Sequence, residues 1–191
     1  LRTPDLFTAV EEALKGGVKA MQLREKDLRI RGLLDMAYKF RELTNRYGAK
    51  LFVNDRVDVA VAVDADGVHL GNTSMPAHAA KKASGGRLLV GVSTHTIEEA
   101  LFAEKDGADF ITFGPVYPTP SKLKYGEPVG TDILKQACSV STIPVFGIGG
   151  IKTENIKTVF GSGASGVAVI SAIFGSEDIK NSAETFMRYL Q

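Results

Sequence analysis

Cysteine is almost absent from this chain: Cys138 is the only one among 191 residues. A single cysteine excludes an internal disulfide and leaves no second thiol for a zinc site, so a reducing compartment is expected. Cys138 itself is expected to be a small buried apolar side chain on a helix. Long apolar runs are also missing, since no segment approaches the roughly 20 residues that span a bilayer, and no signal peptide is recognisable. We therefore expect a cytoplasmic protein without a membrane partner.

An excess of charge of either sign is missing as well. Lys and Arg number 23 against 22 Asp and Glu, which gives a net charge of +1. This balance gives no reason to expect nucleic acid as a partner. With 44% hydrophobic and 24% charged residues, the composition is that of a soluble domain with a sizeable core. No linker or low-complexity segment divides the chain, so we expect residues 1–191 to form a single domain. The sequence leaves open whether it forms a homo-oligomer.

Short apolar runs rich in β-branched residues alternate with amphipathic stretches along the chain. The runs predict strands at 18–24, 50–55, 67–71, 88–93, 110–115, 144–150 and 166–171. Helical patterns cover 3–17, 31–48, 96–107 and 153–163, and a short helix fits within 56–66. The first helix is predicted to begin with a Thr3 cap followed by Pro4. Unbroken alternation of strand and helix predicts a parallel sheet flanked by helices.

Seven predicted strands and an initial helix leave two α/β architectures open. A TIM (β/α)8 barrel needs eight strands and usually roughly 200 residues or more. A barrel here therefore requires a first strand that precedes Leu1 and is absent from this sequence. An open, doubly wound sheet needs a topological switch point, and no GxGxxG motif follows the first strand. We favour the TIM barrel.

In a parallel barrel the functional groups lie where the strands end, and polar residues gather at those positions here. Alternation along the first strand places Gln22, Arg24 and Lys26 on one face. Two cations and an amide together suit an anion with several oxygens, because arginine binds phosphate oxygens bidentately and lysine binds as a point charge. The alternative is a structural ion network with nearby carboxylates.

Two further strand ends carry groups with catalytic chemistry. The Asn54–Asp55 pair ends the second strand, where an aspartate near a polyphosphate is a suitable Mg²⁺ ligand; a helix cap is the alternative. His95 follows Ser93 just beyond a strand end, where an acid or base is well placed. Packing or surface roles are expected for the other two histidines, His69 and His78.

The last strand ends predict a phosphate site. The GIGG turn (147–150) and the Ile170–Ser171 end of the last strand expose backbone N–H groups ahead of helix N-termini, where many barrels bind phosphate. The alternative for Gly149 and Gly150 is a tight turn only. The stretch PTPSK (118–122) adds hydroxyls and a further cation, for which a solvated loop lysine is the alternative. Its polar members are Thr119, Ser121 and Lys122.

These segments together resemble thiamine phosphate synthases. The matching pieces are QLREK, FVNDR, GVHLG, GVSTHT, GADFITFGPVYPTPSK, IPVFGIGGI and GVAVISAI. Each is short, but their ordered set is specific and covers essentially the whole chain after the missing first strand. The resemblance implies a TIM barrel that joins 4-amino-5-hydroxymethyl-2-methylpyrimidine diphosphate to hydroxyethylthiazole phosphate. Pyrophosphate is released, and Mg²⁺ is the cofactor.

The resemblance also implies a role for each matching position. The pyrimidine diphosphate would be held by Gln22, Arg24, Lys26, Asn54, Ser93 and Lys122. The thiazole phosphate would be held by Thr119, Ser121, Gly150, Ile170 and Ser171. Asp55 would bind Mg²⁺. Catalysis would involve Arg24, Lys26, Ser93 and Lys122, the cations by stabilising charge that accumulates on the departing pyrophosphate. No nucleophile or general base is required, which agrees with the lack of a Ser-His-Asp or Cys-His arrangement.

One position departs from the family pattern. Family members usually have a second metal-binding aspartate shortly after HLG, whereas this chain reads GNTSM with Ser74 at that place. Related thiazole tautomerases share the barrel, have lost metal-binding carboxylates and use a histidine at the position of His95. An isomerase is therefore one alternative, and a non-catalytic regulator that binds a phosphate ligand is another. Because the Asn54–Asp55 pair and the complete PTPSK stretch are retained, we favour the synthase.

Overall fold

The structure is a computed structural model that describes residues 5–71, 73–119 and 127–190. It consists of parallel strands that alternate with helices. The chain divides into two compact units. The first unit comprises Leu1–His69, Lys82–Leu89 and Ile170–Gln191, and the second comprises Leu70–Lys81 and Val90–Val169. With this division, the expectation that residues 1–191 form one domain stays a prediction.

The elements follow one another in the alternating order that the sequence predicts. In chain order they are α1 (Leu6–Lys15), β1 (Ala20–Leu23), α2 (Ile30–Arg46), β2 (Lys50–Asn54), α3 (Val57–Ala62), β3 (Gly67–Leu70), α4 (Ala77–Ala83), β4 (Leu89–Thr94), α5 (Ile97–Lys105), β5 (Phe110–Phe113), α6 (Gly130–Val140), β6 (Val145–Ile148), α7 (Ile156–Gly161), β7 (Gly166–Ala168), α8 (Ser171–Phe174), α9 (Ile179–Met187) and a 3-10 turn (Arg188–Leu190).

Every strand pairing within a unit is parallel. In the first unit β1 pairs with β2 and β2 with β3, while in the second unit β4, β5, β6 and β7 pair in that order. All seven predicted strands are present, and the predicted α/β class with a parallel sheet is confirmed. None of the described helices is both long and apolar enough to cross a membrane.

The first helix begins later than the sequence pattern predicts. Asp5 caps α1, because its side chain accepts the backbone N–H groups of Phe7 at 3.0 Å and Thr8 at 3.2 Å. The prediction of Thr3 as the cap is therefore wrong. At the other end of α1, a Cβ on Gly16 would lie 2.5 Å from the Cβ of Ala183 in α9. Glycine at this position lets the two helices of the first unit approach closely.

In each unit a phenylalanine ring lies against a glycine of the neighbouring strand. In the first unit Phe52 is in register with Gly67, and a Cβ on that glycine would lie 2.5 Å from the ring. In the second unit Phe146 is in register with Gly166, where the corresponding distance is 2.7 Å. Glycine is needed at both positions because any side chain would meet the neighbouring ring.

An aspartate before a strand ties each unit together at the start of its strands. Asp66 accepts the backbone N–H of Leu51 at 2.9 Å and pairs with Nη1 of Arg41 at 2.7 Å. Asp109 repeats this pattern in the second unit, where it accepts the backbone N–H of Val90 and pairs with Nζ of Lys81, both at 2.7 Å. Burial raises the pKa of the Asp66 carboxyl, but hydrogen bonds from Leu51 and Arg41 outweigh it and the pKa lies below its ordinary value.

Replacing Asp66 by Asn should lower the free energy of unfolding by about 1–3 kcal/mol, the scale for lost hydrogen bonds to a charged group. Because folding lowers the pKa below 3.8, this contribution is present above pH 3.8 and is lost as the pH falls through the folded-state pKa. Urea unfolding at neutral pH and well below pH 3.8 measures this contribution. The difference in free energy of unfolding between wild type and Asp66→Asn should be smaller at the acidic pH.

The matched control is Asp58→Asn, which removes an exposed carboxylate that pairs with Arg56. This variant should cost at most about 1 kcal/mol, as surface ion pairs do. The role given to Asp66 would be contradicted if both variants lost the same free energy of unfolding. It would also be contradicted if the free energy of unfolding differed between wild type and Asp66→Asn by the same amount at every pH.

Candidate active site

In the first unit, a chain of polar side chains crosses the carboxyl ends of β1 and β2. Gln22 donates from Nε2 to Oδ1 of Asn54 at 3.1 Å, and Asn54 donates from Nδ2 to Oδ2 of Asp55 at 2.7 Å. Gln22 is exposed, and the other two residues are half-buried. The structure thus brings together three residues predicted from separate parts of the sequence, and it leaves them accessible to a ligand.

Two cations follow β1 at the same end of the first unit. β1 ends at Leu23, so Arg24 and Lys26 lie in the turn after the strand, and the prediction that strand alternation reaches them is wrong. Both side chains are exposed. Neither forms an ion pair with any of the residues that the structure describes, so the alternative of a structural ion network is not supported. Exposed cations without a carboxylate partner suit an anionic ligand.

The backbone of Asp55 is left-handed, a conformation that it shares with Asp64 among the described residues other than glycine. Its φ of 61° lies in the left-handed region, which is uncommon for residues other than glycine. The turn is fixed by hydrogen bonds from the Asp55 N–H to the His69 carbonyl at 3.0 Å and from the Arg56 N–H to the Asn54 carbonyl at 2.7 Å. Such positions gather at functional sites, so the conformation supports a functional role for the Asp55 carboxylate.

His69 lies next to this group in the sheet and is buried, with 5% of its surface exposed. It is in register with Asn54 on the neighbouring strand. Burial lowers the pKa of His69 to about 4, although the negative charge of Asp55 opposes this shift. The imidazole is therefore neutral at neutral pH, and the packing role expected from the sequence agrees with its burial. His78, the other histidine expected to pack or face solvent, is exposed on α4.

In the second unit, Ser93 near the end of β4 is in register with Thr112 of β5. The hydroxyl of Thr112 donates to Oγ of Ser93 at 3.5 Å, at the outer limit of hydrogen-bond distance. Thr112 is buried, with 5% of its surface exposed. Sequence reasoning missed this residue, although Thr112 lies one residue before the end of β5, as Ser93 lies one residue before the end of β4.

His95 is held by hydrogen bonds on both its backbone and its ring. Its N–H donates to Oε2 of Glu99 at 2.7 Å, and its Nδ1 lies 2.5 Å from the carbonyl oxygen of Gly114. A carbonyl oxygen can only accept, so Nδ1 of His95 carries the hydrogen and is the donor. Thr96 caps α5 through the N–H of Glu99 at 3.1 Å, which gives a variant of the capping box.

The segment 114–119, which we call the β5 loop, lies against the GIGG turn of the same unit. The N–H groups of Val116 and Tyr117 donate to the carbonyls of Ile148 at 2.9 Å and Gly149 at 3.0 Å. A Cβ on Gly150 would lie 2.7 Å from the Cβ of Tyr117, and this glycine has a φ of 64°. The GIGG sequence is therefore required for the close approach of the β5 loop.

The relation of the GIGG turn to its helix differs from the prediction. α7 begins at Ile156, so the turn 151–155 separates the glycines from the helix. The expectation that GIGG directly precedes a helix N-terminus is therefore wrong. The last strand also ends earlier than predicted, because β7 ends at Ala168 and Ile170–Ser171 lie beyond it. Ser171 is the first residue of α8, so the expected helix N-terminus is present, and Ile170 before it is 72% exposed. An aliphatic side chain this exposed has no role in the core.

Four predicted site residues remain. Ser74, at the place of the second metal aspartate, accepts the Gly71 N–H through Oγ at 2.8 Å and donates its own N–H to the Gly71 carbonyl at 3.1 Å. Its hydroxyl thus closes the turn after β3. Thr119 ends the described β5 loop and is half-buried. Ser121 and Lys122 lie outside the described residues.

The family to which these features belong follows from comparison with known proteins. The family model described as thiamine monophosphate synthase matches residues 2–173. This chain belongs to the thiamine monophosphate synthase family. A protein of Geobacter sulfurreducens named putative thiamine-phosphate synthase is 53% identical over 97% of this chain and 87% of its own length. The thiamine-phosphate synthase of Alkaliphilus oremlandii is 45% identical over 97% and 88%.

A solved structure shows that the similarity in sequence is accompanied by a similarity in fold. Thiamine phosphate pyrophosphorylase from Pyrococcus furiosus is 41% identical, with a TM-score of 0.92 over 99% of this chain and 91% of that one. The TIM-type α/β fold expected from the sequence is confirmed by this match. The match in sequence and the match in fold therefore agree on the thiamine monophosphate synthase family.

The residues present can accommodate the metal that the family resemblance implies. Within residues 5–71, 73–119 and 127–190, no three His, Cys, Asp or Glu residues gather closely enough to form a metal cage. Mg²⁺ does not need such a cage, because it commonly takes one or two carboxylates and completes its shell with substrate phosphates and water. Asp55, oriented by Asn54, provides one carboxylate of this kind.

Replacing Gly150 by Ala should disturb the contact between the GIGG turn and the β5 loop. The added Cβ would meet Tyr117 and would sit on a backbone with φ 64°, so we expect a loss of about 1–3 kcal/mol in the free energy of unfolding. The control is Gly161→Ala in α7, where no atom lies within 4 Å of the new Cβ. That change should be neutral or stabilising by up to about 1 kcal/mol. A harmless Gly150→Ala would refute the close-approach argument.

Proposed function

We propose that this chain is a thiamine-phosphate synthase that couples a pyrimidine diphosphate with hydroxyethylthiazole phosphate, forms thiamine phosphate and releases pyrophosphate in a Mg²⁺-dependent reaction. The curated relatives named thiamine-phosphate synthase support this activity. The observation in the chain that supports it most is the pair of exposed cations, Arg24 and Lys26, beside the hydrogen-bonded series from Gln22 to Asp55. A diphosphate is an anion that cations bind, and a pyrimidine ring can form hydrogen bonds with side-chain amides.

In this proposal Arg24 and Lys26 bind the diphosphate and stabilise charge on it as its C–O bond breaks. Fixed positive groups are effective because they stabilise the departing charge without reorganising. Gln22 and Asn54 donate and accept hydrogen bonds on the rest of the pyrimidine substrate. Their mutual hydrogen bond orients the two amides before the substrate arrives. Ser93 and Lys122 complete the set of residues proposed for this substrate.

Asp55 is the proposed Mg²⁺ ligand, and its left-handed backbone supports that role. When bound, Mg²⁺ neutralises negative charge on a diphosphate. Asn54 donates to Oδ2 of the Asp55 carboxylate and thereby orients the group that would hold the metal. Ser74 contributes no charge, so this chain has one fewer carboxylate than the family pattern and is expected to need more Mg²⁺.

The thiazole phosphate is assigned to the remaining strand ends. Backbone N–H groups and hydroxyls suit a phosphate monoester, and both are present at these positions. Gly150 offers its backbone beside the β5 loop, and Ser171 offers a hydroxyl and an N–H at the start of α8. The exposed side chain of Ile170 suits contact with the apolar part of a ligand. The full set is Thr119, Ser121, Gly150, Ile170 and Ser171.

The function is tested by incubating the enzyme with both substrates and Mg²⁺ and identifying the products, with Arg24→Ala as the diagnostic variant. Wild type should form thiamine phosphate and pyrophosphate. Arg24→Ala should keep its fold and lose about 2–4 kcal/mol of transition-state stabilisation in kcat/KM, the scale for removal of one charge stabiliser. The control is Arg31→Ala, which removes an exposed arginine of α2.

Three results would count against the proposal. Isomerisation of a thiazole carboxylate phosphate without coupling would favour a tautomerase, and binding without turnover would favour a regulatory protein. A folded Arg24→Ala variant as active as Arg31→Ala would remove Arg24 from the diphosphate site.

Replacing Ser74 by Asp should lower the Mg²⁺ concentration needed for half-maximal activity by about threefold to tenfold, since it adds a carboxylate at the family's second metal position. The aspartate can still accept the Gly71 N–H that Ser74 accepts now. Ser74→Asn is the control, because it keeps the acceptor without the charge. Identical Mg²⁺ titrations of the Asp and Asn variants would show that position 74 does not act on the metal.

A further inference from the structure

A line of hydrogen bonds in the second unit connects α5 to the β5 loop through a histidine. Glu99 accepts the N–H of His95 at 2.7 Å, and His95 donates from Nδ1 to the carbonyl of Gly114 at 2.5 Å. Gly114 is the first residue of the β5 loop and is buried. The histidine ring thus anchors the start of this loop to a helix that lies outside the proposed substrate contacts.

The anchored loop reaches the residues proposed for the thiazole phosphate. It ends at Thr119, and along its length it donates backbone N–H groups to Ile148 and Gly149. Its residue Tyr117 packs against Gly150 so closely that no side chain fits there. A displacement of Gly114 would therefore be transmitted along the loop to Thr119 and Gly150.

We propose that His95 and Glu99 are positioning residues that hold the β5 loop in the conformation that binds the thiazole phosphate. His95 acts through the Nδ1–H bond to Gly114, and Glu99 acts by fixing the backbone of His95. No proton is transferred by the imidazole in the coupling reaction. This inference rests on the proposed function, because the thiazole phosphate is the ligand whose affinity reports it.

The chemistry of the contact explains why histidine suits this position. Removal of the Nδ1–H donor would leave a carbonyl oxygen of a buried residue without this partner, and an unpaired buried acceptor favours movement toward another donor. Ser93, two residues earlier, belongs to β4 and is held in the strand ladder with Thr112. The pyrimidine diphosphate contacts proposed for β4 should therefore be less sensitive to His95 than the thiazole phosphate contacts are.

Three substitutions of His95 test the roles of its two ring nitrogens separately. The amide nitrogen of asparagine can occupy the place of Nδ1, the amide of glutamine extends to the place of Nε2, and alanine provides neither. Each variant is examined by thermal unfolding and by steady-state kinetics in which the two substrates are varied in turn. KM and kcat are then compared for the thiazole phosphate and for the pyrimidine diphosphate.

We expect His95→Ala and His95→Gln to raise KM for the thiazole phosphate by about tenfold, the scale of one lost hydrogen bond. His95→Asn should recover most of that loss. In all three variants kcat and KM for the pyrimidine diphosphate should change by less than about threefold, because the loop change acts on the binding of one substrate.

Glu99 provides a second pair of variants that keeps the histidine intact. Glu99→Gln retains an acceptor for the His95 N–H, whereas Glu99→Ala does not, so only the alanine variant should raise KM for the thiazole phosphate. Glu98→Ala on the same helix is the matched control, since Glu98 is an exposed neighbour with no bond to His95 among the described residues. It should behave as wild type.

Several results would overturn the inference. A collapse of kcat in all three His95 variants with KM unchanged would mean that Nε2 takes part in chemistry. Equal changes in KM for both substrates, or equal KM values for His95→Asn and His95→Gln, would show that the Nδ1 bond does not hold the loop for the thiazole phosphate. If wild type itself forms no thiamine phosphate, the proposed function fails first; if wild type is active and the variants show no selective change, only the positioning role fails.

Discussion

Parallel pairing is the constraint on which the rest of this structure depends. Strands that run in one direction bring their carboxyl ends to the same edge of the sheet, so residues that follow different strands become neighbours. In the first unit this places Gln22 beside Asn54, which is 32 residues away in the chain. In the second unit it places His95 beside Gly114, which is 19 residues away. Both of these contacts therefore depend on strand register, and a register shift of one residue would turn the polar side chains to the other face.

The two ends of the strands use charge in opposite ways. At the amino ends, Arg41 and Lys81 pair with the aspartates that precede β3 and β5, and those aspartates also bind backbone N–H groups. These charges are satisfied within the protein and contribute to its stability. At the carboxyl ends of the first unit, Arg24 and Lys26 have no ion-pair partner among the described residues. Cations left unpaired next to a hydrogen-bonded amide pair are available to a substrate, and this contrast supports a diphosphate at that end.

Glycine links the core to the site. Gly67 and Gly166 leave space for the phenylalanine rings of neighbouring strands, while Gly149 and Gly150 leave space for the β5 loop that lies against them. The same residue type thus serves packing in one place and loop placement in the other, because both need a backbone without a Cβ. The loop is fixed at its start by His95 and along its length by the glycine turn. A loop held at two places is suited to binding a small phosphate with little rearrangement.

The sequence by itself determined the seven strands, the parallel α/β class and the family, because apolar periodicity and short ordered motifs are local properties that can be read without knowing the fold. It also pointed to most of the candidate site residues, since they lie at or near the ends of strands. Only the tertiary structure decided that β1 ends at Leu23, that a turn separates GIGG from α7, and that Asp5 caps the first helix. It alone joined His95 to Gly114 and placed the buried Thr112 beside Ser93. These features depend on contacts between residues that are distant in the chain, and no local pattern specifies which distant group a side chain will meet.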